Sequence, residues 1–459
     1  MKQKIDIIWI KRELRVVDNK LLSCTDSLDV LPIFIFDKDK LYNLNKNNKR
    51  ISFLFQQLIK FKSLLRKNKL DIAIFYGSPL DIFDFLAHNF EINNIIASNE
   101  FDNYSKNIFK KISKKYKLKL LNENFITPVE KFFNSKGQPY QVFSSFMSAI
   151  KENLNILISE EYRIKSKIKL VNTDFSHIIS VSNTVTKLPI DLGSINFETQ
   201  SLKFEGAKKD PYELLKRFES LIDNYAISRD FPHLNSTSLL SPHLRYGTIS
   251  IRSLFRWILN KKGNHNKFLD ELIWREFFNY LLYHYPESEF ENFKKNIKIH
   301  WENNENLFKK WQDGLTGYPI VDAGMRQLKE EGYIHNRVRM IVANFLTKNL
   351  HIDWRLGERY FSLELIDYDI PSNIGNWQWN ASTGVDTKFR FFNPFIQSRK
   401  FDSDTIYIKK YVQELKNIDN EILHNERILK NHSFKNYPKP IVDFKKTILE
   451  FKQKLYKKI

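Results

Sequence analysis

Five short apolar runs, separated by stretches with helical spacing, fill the first 121 residues and constrain this chain more than any other feature. The runs are Ile5–Ile10, Val30–Phe36, Asp71–Tyr76, Asn94–Ser98 and Lys117–Leu121. Between them, Ile51, Phe55, Leu58 and Ile59 recur at helical spacing within Ile51–Lys67, and Pro79–Asn89 behaves likewise. β-Branched runs alternating with helices predict an α/β domain with a parallel, five-stranded, doubly wound sheet. Such sheets bind ligands at the carboxyl ends of their strands. No GxGxxG or Walker A pattern is present, so neither an ordinary dinucleotide fold nor a P-loop is expected.

The patterning then changes. From about Phe125 to Lys203 Thr, Ser, Asn and Pro become frequent, which reads as a long connector with one short helix at Ser144–Asn153. From Gly206 onward Pro211–Tyr225, Ile249–Asn260, Lys267–His284 and Asn336–Asn349 carry apolar residues at i, i+3, i+4, the mark of an all-α domain. The expected organisation is an α/β domain at 1–130, a linker at 131–205 and a helical domain at 206–459.

Charge narrows the partners. Against 53 Asp+Glu stand 73 Lys+Arg, a formal +20 over 459 residues. That favours a polyanion, nucleic acid first, although an AT-biased coding sequence would also enrich Lys, Asn and Ile. The single cysteine, Cys24, excludes a disulfide framework, a Cys-ligated iron–sulfur cluster and a multi-Cys zinc site. No apolar run reaches the roughly 18 residues of a membrane span. The opening MKQKIDIIWI is broken by charge, unlike a secretory signal, so a cytoplasmic location is expected. Aromatics make up 14%, with 38 Phe, 20 Tyr and 8 Trp.

Five segments can carry chemistry. In STSLLSPHLRYG at 236–247, hydroxyls precede Pro242 and a helical start, which suits either a phosphate or a plain Ser cap with Pro at the first helical position. In ELIWREFF at 271–278, Glu271, Trp274 and Arg275 share one helix face, a polar and aromatic site or an i,i+4 ion pair beside a packed indole. In HNRVRMIVA at 335–343, Asn336, Arg339 and Met340 share a face while Arg337 points elsewhere, so the helix lines a polar cavity or meets solvent. In DYDIPSN at 367–373, Asp367, Asp369 and Asn373 cluster near a helix break, suited to ribose hydroxyls, to ring N–H donors, to Mg²⁺ or to capping. In GNWQWNASTG at 375–384, Trp377 and Trp379 project about 200° apart on a helix and cannot serve one site in the same way.

Together with WIKRELRVVDN at 9–19, WQDGLTGYPIVDAGMR at 311–326, IDWRLGERYF at 352–361 and YPKPIVD at 437–443, these segments resemble the DNA photolyase/cryptochrome flavoprotein family, in matching order over nearly the whole chain. Among its members the resemblance is nearest to class I cyclobutane pyrimidine dimer photolyases. It implies an N-terminal α/β domain of antenna type and a C-terminal helical domain holding FAD.

Carried over by motif, Tyr225, Thr237, Ser238, Leu239, Leu240 and Ser241 would line the FAD phosphates and ribityl chain. Phe268 stands where relatives often carry Trp. Arg275, Arg339, Asp367 and Asp369 would contact the flavin or its phosphates, and Asn373 would sit beside flavin N5. Trp377, Trp354 and Trp301 match the family's electron-transfer chain, while Trp9, Trp257 and Trp311 read as structural. Trp274 and Trp379 match the pair that grips a flipped pyrimidine dimer. Glu271 and Asn336 would bond the pyrimidine edges, with Glu271 supporting the radical anion, and Met340 would pack on the lesion. Arg229, Arg337, Lys388, Arg390, Arg399 and Gln397 would meet DNA around the lesion.

The implied activity is light-driven dimer repair by electron transfer from reduced FAD, acting as a monomer on UV-damaged DNA without a metal or a membrane. The runner-up reading is a cryptochrome-type blue-light photoreceptor. Relatives that repair 6-4 lesions usually place His near Met340, and DASH-type relatives usually carry Tyr at Trp379; this chain does neither. A second antenna chromophore, folate or deazaflavin, is left open. Ser105 stands where folate-binding relatives carry Glu, and the Cys-Lys pair expected after Tyr285-Pro286 is absent. The stretch 386–393 is shorter than the usual form and lacks its proline.

Overall fold

In the computed structural model, residues 2–25, 29–164, 168–181, 184–386, 389–432 and 434–456 are described. The chain divides into two compact units. One comprises Met1–Leu215, Leu239–Gly263 and Leu269–Pro286; the other comprises Lys216–Ser238, Asn264–Phe268 and Glu287–Ile459.

The first unit is built on the expected parallel sheet. Strands β1 (Gln3–Ile10), β2 (Asp29–Asp37), β3 (Ala73–Gly77), β4 (Phe90–Ser98) and β5 (Leu118–Leu121) lie in the order β5-β4-β1-β2-β3, all parallel. Helices α1 (Lys49–Lys67), α2 (Pro79–Asn89) and α3 (Asn103–Ser113) alternate with them. β1 is buried from Ile5 to Ile10, the signature of a strand covered on both faces. The helix starts are encoded locally: Asn48, Ser78 and Asp102 each accept a backbone N–H from the first turn that follows.

Among the described residues the sheet has eight strands rather than five. β6 (Lys169–Leu170) pairs with β2, β7 (Ile178–Ser180) extends the sheet beyond β3, and β8 (Thr186–Leu188) closes it antiparallel to β7. These two- and three-residue strands are too short to show a period, and Ile178 and Ile179 pair in register with Ile74 and Phe75. The connector's helix α4 runs over Phe143–Leu157, longer than expected.

Helix α5 (Pro211–Glu219) stops before the expected Tyr225 and gives way to a 3-10 turn at Ile222–Asn224. Among the helices that follow are α6 (Ile251–Leu259) and α7 (Asn266–His284). Arg252 of α6 is buried between Asp18, at 3.2 Å, and Glu123, at 3.1 Å, which ties α6 to the loop after β1.

The second unit is helical: α8 (Glu305–Gln312), α9 (Pro319–Glu331), α10 (Asn336–Lys348), α11 (Trp354–Glu364), α12 (Ile370–Ala381), α13 (Pro394–Phe401) and α14 (Phe444–Tyr456). Their apolar faces form one core that includes Trp311, Val342, Phe361 and Trp377. Buried Asp322 organises the turn before α9, accepting from Thr316 N–H, Thr316 Oγ, Gly317 N–H and Tyr437 Oη at 2.6–2.9 Å. Among the described residues no helix is long and apolar enough to cross a membrane.

Candidate active site

In the helical unit, Arg339 of α10 pairs with Asp367 at 2.8 Å and donates through Nε to the Ile334 carbonyl at 2.7 Å. Burial works against the Arg339 charge, but Asp367 outweighs it and the guanidinium holds its proton more tightly than usual. The other Asp367 oxygen, Oδ1, is buried with no partner among the described residues. A buried carboxylate oxygen needs a donor, and a ribose hydroxyl or a flavin ring N–H supplies one. That orphan oxygen fits a bound FAD. Asp369, just before α12, accepts from Ser372 Oγ at 2.8 Å.

Asn373, one turn into α12, is buried, and its amide N–H donates to Glu358 Oε1 at 3.0 Å. Tyr368 Oη donates to the same oxygen at 3.0 Å, and burial raises the Glu358 carboxyl pKa. Glu358 thereby fixes which end of the Asn373 amide is presented to a ligand. Glu358 lies within IDWRLGERYF, but nothing local in the sequence shows that this helical Glu turns inward.

The hydroxyl-rich segment is held by its backbone. Arg217 donates to the carbonyls of Asn235, at 2.7 Å, and Thr237, while Ser236 Oγ donates to the Ser228 carbonyl at 2.8 Å. Tyr333 hydrogen-bonds to the Thr237 side chain. Ser238 is half-buried. Phe268, Tyr225 and Phe218 pack edge to face or tilted at 4.7–5.5 Å, with Arg229 over the Tyr225 ring. In the first unit, Leu239 adopts φ +57 and its carbonyl lies where a Cβ on Gly206 would stand, 2.4 Å away. Leu240, not a serine, caps the short helix Ser241–Arg245, and Ser241 is its first residue. The plain Ser cap allowed by the sequence is therefore not what forms.

Trp377 is buried, edge-on to Phe361 at 5.0 Å and to Trp311 at 6.2 Å. Trp354 is buried and donates through Nε1 to Asn292 Oδ1 at 3.0 Å, with the Arg355 guanidinium 4.8 Å over its ring. Trp301 is half-buried, 6.2 Å from Phe451. Trp379, two residues past Trp377, is half-buried instead, 6.4 Å from Phe392 and capped by the Arg390 guanidinium at 4.9 Å.

Asn336 is exposed and Met340 half-buried, one turn apart on one face of α10. Arg337 points elsewhere, as expected, pairing with Asp230 at 2.8 Å and covering the Phe401 ring at 4.3 Å. Arg229 lies 3.9 Å from the same aspartate. Asp230 adjoins Arg229 in the chain, but no local pattern marks it as a partner for Arg337. Burial pushes the His335 imidazole down to about 3, so it stays neutral and caps α10 by accepting the Arg337 N–H at 3.2 Å. Arg399 pairs with Glu421 at 3.1 Å. Gln397 keeps a buried Oε1 without a partner among the described residues. Lys388 lies outside the described residues.

In the first unit, α7 presents Glu271, Trp274 and Arg275, all half-buried. Phe143 stacks on Trp274 with centroids 3.5 Å apart and planes 8° from parallel, a partner the sequence did not reveal. Arg275 donates to the Asn124 carbonyl at 2.7 Å and lies 3.6 Å from buried Glu276, which accepts from Ile126 and Thr127. Beyond β1 and β4, Glu100 meets Lys11 at 3.4 Å and Arg12 at 3.2 Å. Burial opposes the Glu100 charge, but Lys11, Lys40, Arg12 and Arg245 hold the carboxyl well below the usual range. Ser105 donates to Glu100 at 2.9 Å.

Comparison with known proteins bears on both units. Residues 6–163 match the family model for DNA photolyase, and 268–457 match that for the FAD binding domain of DNA photolyase. A deoxyribodipyrimidine photo-lyase of Buchnera aphidicola subsp. Acyrthosiphon pisum is 35% identical, covering 98% of this chain and 97% of its own. That of Escherichia coli is 31% identical over 96% of each. The crystal structure of an archaeal photolyase from Sulfolobus tokodaii, with two FAD molecules, aligns over 100% of both chains at 32% identity and a TM-score of 0.85. A Synechocystis cryptochrome at 23% identity, covering 99% of each chain with a TM-score of 0.83, shares the fold.

Proposed function

The chain belongs to the DNA photolyase family, and from that premise we propose that it repairs cyclobutane pyrimidine dimers in UV-damaged DNA with light. The observation that carries this reading is the split between Trp377 and Trp379 on one helix. One indole is sunk in the core among aromatic rings; the other reaches the surface beside Phe392.

FAD, the family's cofactor, supplies when bound and reduced the light-driven electron that opens the cyclobutane ring. The chain's residues bind, orient and shield. Asp367, Arg339 and Asn373 would hold the cofactor, with Glu358 setting the Asn373 amide. Trp377, Trp354 and Trp301 would relay electrons when the flavin needs reducing; the first two are buried in the core and Trp301 is half-buried. Photolyases are themselves among the established base-flipping enzymes. The indoles of Trp274 and Trp379 would wall the flipped dimer, Asn336 and Glu271 would bond its edges, Met340 would pack on it, and Gln397 would offer its carbonyl. Arg229 and Arg337 would meet flanking phosphates, already oriented by Asp230. The same phosphate contacts would make affinity salt-dependent and largely sequence-independent.

The test illuminates purified protein, with flavin bound and reduced, together with dimer-containing DNA, and counts restored thymines. Restoration is expected. Its absence would overturn the repair reading and leave that of a photoreceptor.

A further inference from the structure

The C-terminal half of α10 carries two buried polar residues that the site described so far leaves unused. Asn344 and Lys348 lie one turn apart on one helix face, and both are fully buried. Their side chains converge on 390–392. The Asn344 amide donates to the Arg390 carbonyl at 3.1 Å, and its own carbonyl accepts the Phe392 N–H at 3.0 Å. The Lys348 ammonium donates to that same Arg390 carbonyl and lies 4.9 Å over the Phe391 ring.

The segment they hold is the one that borders Trp379. Arg390 covers the indole and Phe392 lies beside it. Arg390 Nε donates to Asp386 at 2.9 Å, and Lys294 bonds the Asp386 carbonyl. No proline lies between 386 and 392 to fix the backbone covalently. Side chains reaching from α10 supply that restraint instead.

We propose that Asn344 and Lys348 are positioning residues for lesion recognition: they anchor 390–392 and so hold Arg390 and Phe392 against Trp379. The inference rests on reading Trp379 as a wall for the dimer.

A buried ammonium is a poor choice if the fold alone is served, because an apolar residue of similar volume would do as well or better. Burial lowers the Lys348 pKa to about 7, with Asp386 attracting and Arg390 repelling the charge; Lys452, 5.1 Å over the same Phe391 ring, is a further cation nearby. The sign follows from the lowered value. Below about pH 7 Lys348 is charged in both folded and unfolded chains, and the burial penalty is full. Above it the folded chain releases the proton first, so stability climbs with pH until the unfolded lysine titrates.

The experiment uses full-length, flavin-loaded protein and reads two quantities: the melting temperature, and the ratio of affinities for dimer-containing and undamaged duplex. Lys348→Met should raise the melting temperature near pH 6, less so near pH 9, and lower the affinity ratio several-fold. Asn344→Ala should lower the ratio comparably without the pH-dependent gain. Trp379→Ala, run beside them, should lower it most. An unchanged ratio in Lys348→Met and Asn344→Ala, with a fall in Trp379→Ala, overturns the positioning role and spares the wall. No fall in Trp379→Ala overturns the wall reading itself. If Lys348→Met does not fold, Asn344→Ala decides: a lowered ratio supports the anchor, an unchanged one overturns it.

Discussion

Trp377 and Trp379 sit two residues apart on α12 and live in different worlds. Trp377 is closed in by Phe361, Trp311 and the bare Cα of Gly357, where an added Cβ would stand 2.2 Å from its ring. Trp379 meets a guanidinium and a phenyl ring on a segment tied down by polar side chains. The difference is a consequence of rotation: at about 100° per residue, two steps turn a side chain to the far side of the helix. One helix can therefore hold one indole in a dry core, as the proposed electron relay would need, and another half-buried at the surface, as the proposed lesion wall would need.

The largest effect should come from breaking the buried side. Trp377→Phe should abolish most photoreduction of oxidised flavin, read as bleaching of flavin absorbance under light, while dimer binding and repair from pre-reduced flavin stay near wild type. Comparable losses in both assays would erase the division of labour. Next comes the surface side. Trp379→Ala should weaken dimer binding by about 1–3 kcal/mol, the scale of one base–aromatic stack, and leave photoreduction intact. A glycine pair then compares the two packings. Gly357→Ala should destabilise the fold by about 1–3 kcal/mol through overpacking, since its Cβ meets Trp377 at 2.2 Å and Leu346 at 2.5 Å. Gly384→Ala, whose Cβ stands 3.0 Å from the Trp379 backbone nitrogen, should cost less. Equal melting temperatures in the two variants would show that the Trp377 pocket is looser than its contacts imply.

The split between the two indoles was legible in the sequence because it needs only helix geometry. The four inner strands were legible for a similar reason: strands buried on both faces read as apolar runs, and the runs end within a few residues of the strands. β5, at the sheet's edge and with no buried residue, was legible only as a short leucine-rich run. What was not legible depends on residues distant in the chain. Phe143 meets Trp274 face to face, yet no local pattern joins them. Lys348, in the last turn of α10, reads as an ordinary solvated lysine favouring the helix dipole. Its burial appears only once 390–392 folds back on the helix. Asp230 reads as a neighbour of Arg229, and only the fold brings Arg337 to it. Candidate site residues were found by motif; the groups that aim them, Glu358, Asp230 and Asn344 among them, lie in positions whose meaning is tertiary.

Arg390 gives the smallest effect and the finest test of the surface side. By sequence it belongs with the cations that meet phosphate; by geometry its Nε is committed to Asp386 and its plane to the Trp379 ring. These roles differ in how salt acts. A cation over an exposed indole contributes about 0.5–1 kcal/mol and leaves the count of neutralised phosphates alone. A phosphate contact releases counterions and steepens the dependence of log affinity on log salt by about one. Arg390→Gln should therefore weaken dimer binding a few-fold with the salt slope unchanged. A slope shallower by about one would make Arg390 a DNA contact, and the surface wall would then be held open for the lesion by the DNA itself rather than by the protein alone.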